Sequence, residues 1–274
     1  MNLILIPPTA ELPRWGAMTP TDGGPRFHLL LSHMCNDPHY VTYYIEHRTA
    51  GEYLILDNGA DELAEGQGIK RTLALATDLR AQEVVLPDVQ HEGQKTLDHS
   101  LEALSWLMTE EGYVAYSRAR KPRLMVVPQG KDAQEWGEVA ERLIDATRKV
   151  MQEIGGPTLV VGVAKQYDKL PGGRSWCCGV LRPYLTPAED VHLLGWAHRL
   201  ADPMDVAKAH PWVRSIDTAK PLVFGMEGLV VDPKEEKSNP PYPGRDDGYF
   251  DEEFLESNLD AIRTNVEKFA WVVR

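Results

Sequence analysis

Three aspartates and one glutamine stand where apolar runs stop. "YLILDNG" (Tyr53 to Gly59) meets Asp57, "EVVLPDV" reaches Asp88 just after Pro87, "RLMVVPQG" reaches Gln129 just after Pro128, and "VRSIDTA" carries Asp217. An acid at the end of a buried segment must be solvated, paired or used. If these ends meet, the three carboxylates repel and raise one another's pKa, a cost that purely structural residues have no reason to accumulate. Two carboxyls driven apart in pKa can divide work at a sugar carbon, one attacking while the other holds a proton. Each acid also has a local explanation. Asp57 before Asn58-Gly59 suits a turn, and Asp88 and Asp217 suit caps for the helices that follow them. The recurrence of the pattern at successive run ends argues for use.

The runs themselves decide whether such a meeting is available. Besides those four, "FHLLLSH" (Phe27 to His33), "TLVVGVA" (Thr158 to Ala164) and "DVHLLGWA" (Asp190 to Ala197) are rich in Val, Ile and Leu and lack two-residue alternation. Strands buried on both faces in a parallel sheet read this way. Seven strands are clear, and "PLVFGMEGL" is the expected place of an eighth. Between them, Leu97, Leu101, Leu104 and Leu107 share one helical face, as do Trp136, Val139, Leu143 and Ile144 before Gly155. Repeated strand-helix-strand units over 274 residues predict an α/β chain, a (β/α)8 TIM barrel in one domain spanning 1–274. An open doubly wound sheet is the alternative. An irregular segment is expected at about 232–250 and a terminal helix at about 251–272, lying outside the barrel. In such a barrel all strand C-termini converge on one mouth, where Gly162 and Gly195 join the three acids and Gln129.

Bulk composition limits the partners. With 41 acidic and 29 basic residues the formal net charge is −12, which argues against a protein that coats nucleic acid or an anionic membrane. No long apolar segment occurs, and "LILI" (Leu3 to Ile6) is too short for a secretory signal. A cytoplasmic chain without membrane contact is expected, in the host cytoplasm if the source is viral. Cys35, Cys177 and Cys178 are too few for a disulfide framework, and "HMC" (His33 to Cys35) with His39 lacks metal-ligand spacing. Neither a metal nor a cofactor is expected. The Gly-Gly of "LPGGR" lacks the strand and helix context of a nucleotide cradle.

The series "LDNGA", "LPDV", "VVPQG", "VVGVAK", "HLLGWA" and "SIDTAKP", from about Phe27 to Pro221, resembles the tRNA-guanine transglycosylase superfamily. It is most similar to the reduced, phage-type (DpdA-like) DNA transglycosylases that replace guanine with a 7-deazaguanine such as preQ0 or preQ1. The resemblance implies a pentosyltransferase acting through a covalent aspartyl-glycosyl intermediate. It makes Asp217 the nucleophile and Asp57 the general acid/base. Asp88, Gln129 and Gly162 become contacts to the base, with Asn58 and Lys165 completing the substrate-binding set. The turn here reads Asp-Asn-Gly-Ala, without the serine of the family pattern. No cysteine follows Cys178, so the zinc site of the tRNA enzymes cannot be built, and DNA is expected in place of tRNA.

A carboxylate fits the chemistry because attack at C1′, followed by displacement by the incoming base, gives net retention. Guanine and 7-deazaguanines present adjacent N1–H and 2-amino donors to one carboxylate, the role expected of Asp88, while Gln129 reads the O6 or N7 side. The target nucleotide must be flipped out or single-stranded. Lys165, Arg174 and Arg182 are candidate phosphate contacts, and a homodimer or a DNA-binding companion is the expected source of further positive surface. Trp176, Trp196 and Trp212 read as packing before base stacking. Three alternatives stay open: a tRNA acceptor, an unrelated two-carboxylate barrel glycosidase, and a non-catalytic purine-binding module.

Overall fold

Every described strand lies parallel to its neighbours, and their order follows the chain once around. The computed structural model describes residues 1–15, 26–49, 51–63, 66–235, 239–244 and 248–273. The strands are β1 (Asn2–Leu5), β2 (Phe27–Leu31), β3 (Tyr53–Asp57), β4 (Glu83–Val85), β5 (Arg123–Val126), β6 (Val160–Ala164), β7 (Asp190–Leu194) and β8 (Ser215–Thr218). The ladder runs β1-β8-β7-β6-β5-β4-β3-β2. Seven pairings stitch it, and among the described residues none joins β1 to β2. The result is a nearly closed (β/α)8 barrel with one seam.

The helices are α1 (Leu12–Trp15), α2 (Pro38–Thr49), α3 (Ala60–Leu63), α4 (Ile69–Leu79), α5 (Gly93–Leu107), α6 (Glu110–Arg118), α7 (Ala133–Glu153), α8 (Gly173–Leu181), α9 (Asp202–Ala209), α10 (Lys220–Met226) and α11 (Leu259–Val272). Helix α7 shows why they form where they do. Asp132 caps it by accepting from the Glu135 N–H at 2.9 Å, and Trp136, Val139, Leu143 and Ile144 turn one buried stripe to the sheet. The strands carry no such stripe: Leu54, Ile55 and Leu56 are all fully buried, because barrel interior and helix layer cover both faces.

Two expectations are corrected. The eighth strand is not at "PLVFGMEGL", which forms α10, with Pro221 in its first turn. The strand is β1, from the short apolar stretch at the very start, whose Ile4 pairs with Asp217. The terminal helix begins at Leu259, not near 251; two short 3₁₀ turns, Tyr249–Asp251 and Glu256–Asn258, precede it. It packs on α10 outside the barrel. Gly225 makes that approach possible, since a Cβ there would sit 2.6 Å from Ile262 Cα. Among the described residues no helix is long and apolar enough to cross a membrane.

Strands β4 and β5 end sooner than their apolar runs. Pro87 and Pro128 have no N–H to continue a ladder. Asp88 and Gln129 therefore ride on loops at the barrel mouth.

Candidate active site

Asp57, Asp88 and Asp217 line one recess of about 80 Å³ at the mouth, together with Asn58 and Gln129. Leu29, Leu31, Val127 and Leu194 also line it. The recess adjoins an outer cavity of about 740 Å³ walled in part by His33, Trp196, Lys220, Tyr242 and Phe250. Asp61, Glu62, Lys165, Gly195 and Asp217 border both. The recess is large enough for more than one water molecule, and its lining mixes apolar walls with convergent polar groups.

Asp57 is the last residue of β3, in register with Leu31. Its Oδ2 accepts the Gly59 N–H at 2.9 Å. Gly59 takes φ of +78°, a conformation that glycine adopts freely. The turn reading and the site reading of Asp57 are therefore both satisfied by one geometry. No cation faces it. Burial, followed by the charges of Glu62, Asp88 and Asp217, raises its pKa well above the usual carboxylate value.

Asp88 sits in a different environment though equally buried. Asn58 Nδ2 donates to Oδ1 and Gln129 Nε2 to Oδ2, both at 2.7 Å. Burial raises its pKa to about 6, and the two amide donors restrain the rise. Its loop is tied to α5. Thr96 Oγ1 accepts from Val89 N–H at 2.9 Å, and Ser100 Oγ donates to Pro87 O at 2.8 Å. Gln129 Oε1 accepts from His91 N–H at 3.2 Å, Gln166 Nε2 at 3.0 Å and Tyr167 OH at 2.8 Å. The backbone donor fixes which end of the amide is oxygen. Gln129 thus has one N–H left to offer and no acceptor capacity.

Asp217 is held by one oxygen only. Its Oδ1 takes the Gly195 N–H and His192 Nε2, each at 3.0 Å, and among the described residues no donor reaches Oδ2. Behind it a buried chain sets the proton positions. Arg214 Nε donates to Ser215 Oγ at 3.1 Å, so the Ser215 hydroxyl donates to His192 Nδ1 at 2.8 Å. That leaves His192 with its hydrogen on Nε2, aimed at Asp217. The Gly195 turn, at φ of +70°, is braced as well: Arg174 Nη1 donates to Gly195 O at 2.7 Å while Nε pairs with Asp202 at 2.7 Å.

Sequence reasoning missed His192, though it lies within the quoted "HLLGWA"; position two before the strand end on the inward face was the available signal. It missed Glu62 also, whose charge is the largest raising Asp57 after burial.

Other expected contacts are placed as follows. Lys165 borders the recess and pairs with Asp61 at 2.6 Å. Gly162 does not line either cavity. It lies below Ala164 on β6, where a Cβ would meet Leu194, Met125 and Val127 side chains at 2.8–3.0 Å, so the absence of a side chain there serves core packing. Arg174 is fully buried, so it is a brace and cannot meet a phosphate. Arg182 lies over the Trp212 ring and lines neither cavity. Trp196 is buried against Phe269, with ring centroids 4.5 Å apart. At the mouth, no trio of metal-ligating side chains converges among the described residues; one does at the opposite end of the barrel, formed by His28, His47 and Glu52.

A scan against models of known protein families finds no match, and a search of curated proteins finds no significant relative.

Proposed function

We propose that this chain is a base-exchange transglycosylase that replaces guanine in DNA with a 7-deazaguanine. The observation that carries the reading is the asymmetry of three carboxyls around one recess. Asp217 presents a bare Oδ2, Asp57 has its pKa raised by burial and acidic neighbours, and Asp88, with a pKa of about 6, is an acceptor whose position is set by two amides.

The steps follow from those states. Asp88 accepts N1–H and the 2-amino group on the lone pairs that Asn58 and Gln129 leave open, and the spare N–H of Gln129 donates to O6. Asp217 Oδ2 attacks C1′ as the bond to N9 breaks; the bonding pair goes to the departing guanine, and Asp57 supplies its proton. The sugar is then an ester of Asp217, with the strand uncut. The incoming 7-deazaguanine gives its N9 proton to the Asp57 carboxylate, and N9 displaces Asp217 from C1′. Two inversions give net retention, and Asp57 is again protonated. His192 and Gly195 act by holding Oδ1, so that Asp217 meets C1′ without first reorienting.

The recess lies below the strand ends, so the nucleotide must be extruded from a duplex or arrive single-stranded. Lys165 and Lys220 line the outer cavity that such a nucleotide would cross. The test is incubation with labelled 7-deazaguanine and either single-stranded DNA, duplex DNA or tRNA. Label entering DNA supports the proposal. Label entering tRNA alone overturns the acceptor, and hydrolysis of simple glycosides without dependence on a base overturns the reaction.

A further inference from the structure

At the base of the barrel, opposite the recess, three Lewis-basic atoms from three elements converge. His28 lies on β2, His47 on α2, and Glu52 on the stretch entering β3. Nε2 of His28, Nδ1 of His47 and a carboxylate oxygen of Glu52 all lie within 4.8 Å of one another. Both imidazole nitrogens turn to the same oxygen, Glu52 Oε2, with His47 at 2.7 Å and His28 in still closer contact. We propose that His28, His47 and Glu52 form a binding site for a divalent first-row transition ion, zinc above all, that is separate from the proposed reaction and does not depend on it.

Several features distinguish this group from a chance cluster. The donor set, two imidazoles and one carboxylate, is one that zinc and its neighbours favour, and calcium or magnesium would demand oxygens instead. The carboxylate is oriented from behind: Arg26 Nη1 donates to the other oxygen, Oε1, at 2.9 Å, which leaves Oε2 for a single bond to metal. An aromatic shell encloses the histidines. Tyr43 stands 4.0 Å from the His47 ring, and Tyr44 meets His28 edge-on at 5.6 Å. His28 is almost wholly buried, so its ring is held in place by the surrounding core. His47 and Glu52 keep some exposure, which gives an ion a path and a place for water as a fourth ligand.

The location gives the ion a purpose. Strand β2 borders the seam that no ladder closes. A metal here would clip β2 to α2 and to the start of β3, fixing the edge strand where hydrogen bonding stops. Binding to the folded state alone then raises stability by mass action.

The experiment uses the full chain after dialysis against a chelator. One equivalent of Co(II) should bind with visible d–d absorption, Zn(II) should displace it, and Zn(II) should raise the Tm by several degrees. His47→Gln and Glu52→Gln should each lose the absorption and the Tm rise while keeping the far-UV spectrum of the metal-free parent. In unmutated protein, Zn(II) should slow modification of His47 by diethyl pyrocarbonate, read by peptide mass spectrometry, which keeps the test sound if a variant misfolds. No binding of Zn(II) or Co(II) at micromolar concentration, or undiminished binding in a folded His47→Gln, overturns the proposal.

Discussion

Glu83 and Asp57 are both buried acids on adjacent strands, at opposite ends of the barrel, and their surroundings differ in kind. Glu83 opens β4 at the base. Arg214 grips both its oxygens at 2.7 and 2.9 Å, and Tyr53 OH adds a third donor at 2.8 Å. Burial alone would raise its pKa, yet Arg214 holds it below the usual value. Asp57 closes β3 at the mouth, with one backbone donor and three acidic neighbours, and its pKa rises. Burial is the same; the partners decide. The base is neutralised for stability, and the mouth is left electrostatically unsettled, which is the division expected between the two faces of such a barrel.

Substitutions at the two ends should separate these roles. The largest effect belongs to Asp217→Asn, which keeps an acceptor for Gly195 N–H but removes the proposed nucleophile; incorporation of labelled base should fall by a factor on the order of 10⁴ or more, with an unchanged Tm. Glu83→Gln should leave buried Arg214 with only the more distant Asp190, at 3.6 Å, as counter-charge and lower stability by about 3 kcal/mol in denaturant unfolding, with chemistry at the mouth intact in whatever fraction is folded.

Asp57→Asn should reduce exchange by roughly 10²–10⁴ with no loss of stability. The sign follows from the raised pKa. The folded state holds the Asp57 proton to higher pH than the unfolded chain, so wild-type stability falls as pH climbs from the ordinary carboxylate range to the folded pKa. The variant lacks that proton, and its Tm advantage should widen with rising pH. A Tm difference between variant and wild type that stays constant with pH would contradict the raised pKa.

Smaller again is the pH profile. Asp88 must be ionised to accept the guanine edge, so kcat/KM should drop about tenfold per unit below its pKa of about 6. Smallest is His192→Gln, expected to lower kcat by roughly tenfold while KM for the free base holds, since it orients Asp217 and does not touch the base.

How much of this the chain revealed depends on the physics of each part. Seven strands were legible because parallel strands are apolar throughout. The eighth was misplaced for the same reason: a short buried helix such as α10 is also apolar all round, and only Pro221 marked it as one. The four residues of β1 carry no periodicity at all. At the mouth, Asp57, Asp88, Gln129 and Asp217 were legible as polar residues ending apolar runs. What stayed hidden was pairing. Arg174 reads as a surface cation until Asp202, 28 positions later, is known to face it. His192 reads as one of nine histidines until Ser215 and Asp217 close around it. Gly162 and Gly195 look alike in sequence, yet one sits tightly packed in the barrel core and the other donates its N–H to Asp217.

The claim on which the rest depends is that Asp217 becomes esterified to the sugar. Intact-mass analysis after acid quenching of the protein with single-stranded, guanine-containing DNA tests it. The account predicts a protein–DNA adduct, mapped by digestion to Asp217, that disappears when a 7-deazaguanine is added and never forms in Asp217→Asn. An adduct on another residue, or one undiminished in that variant, would contradict it.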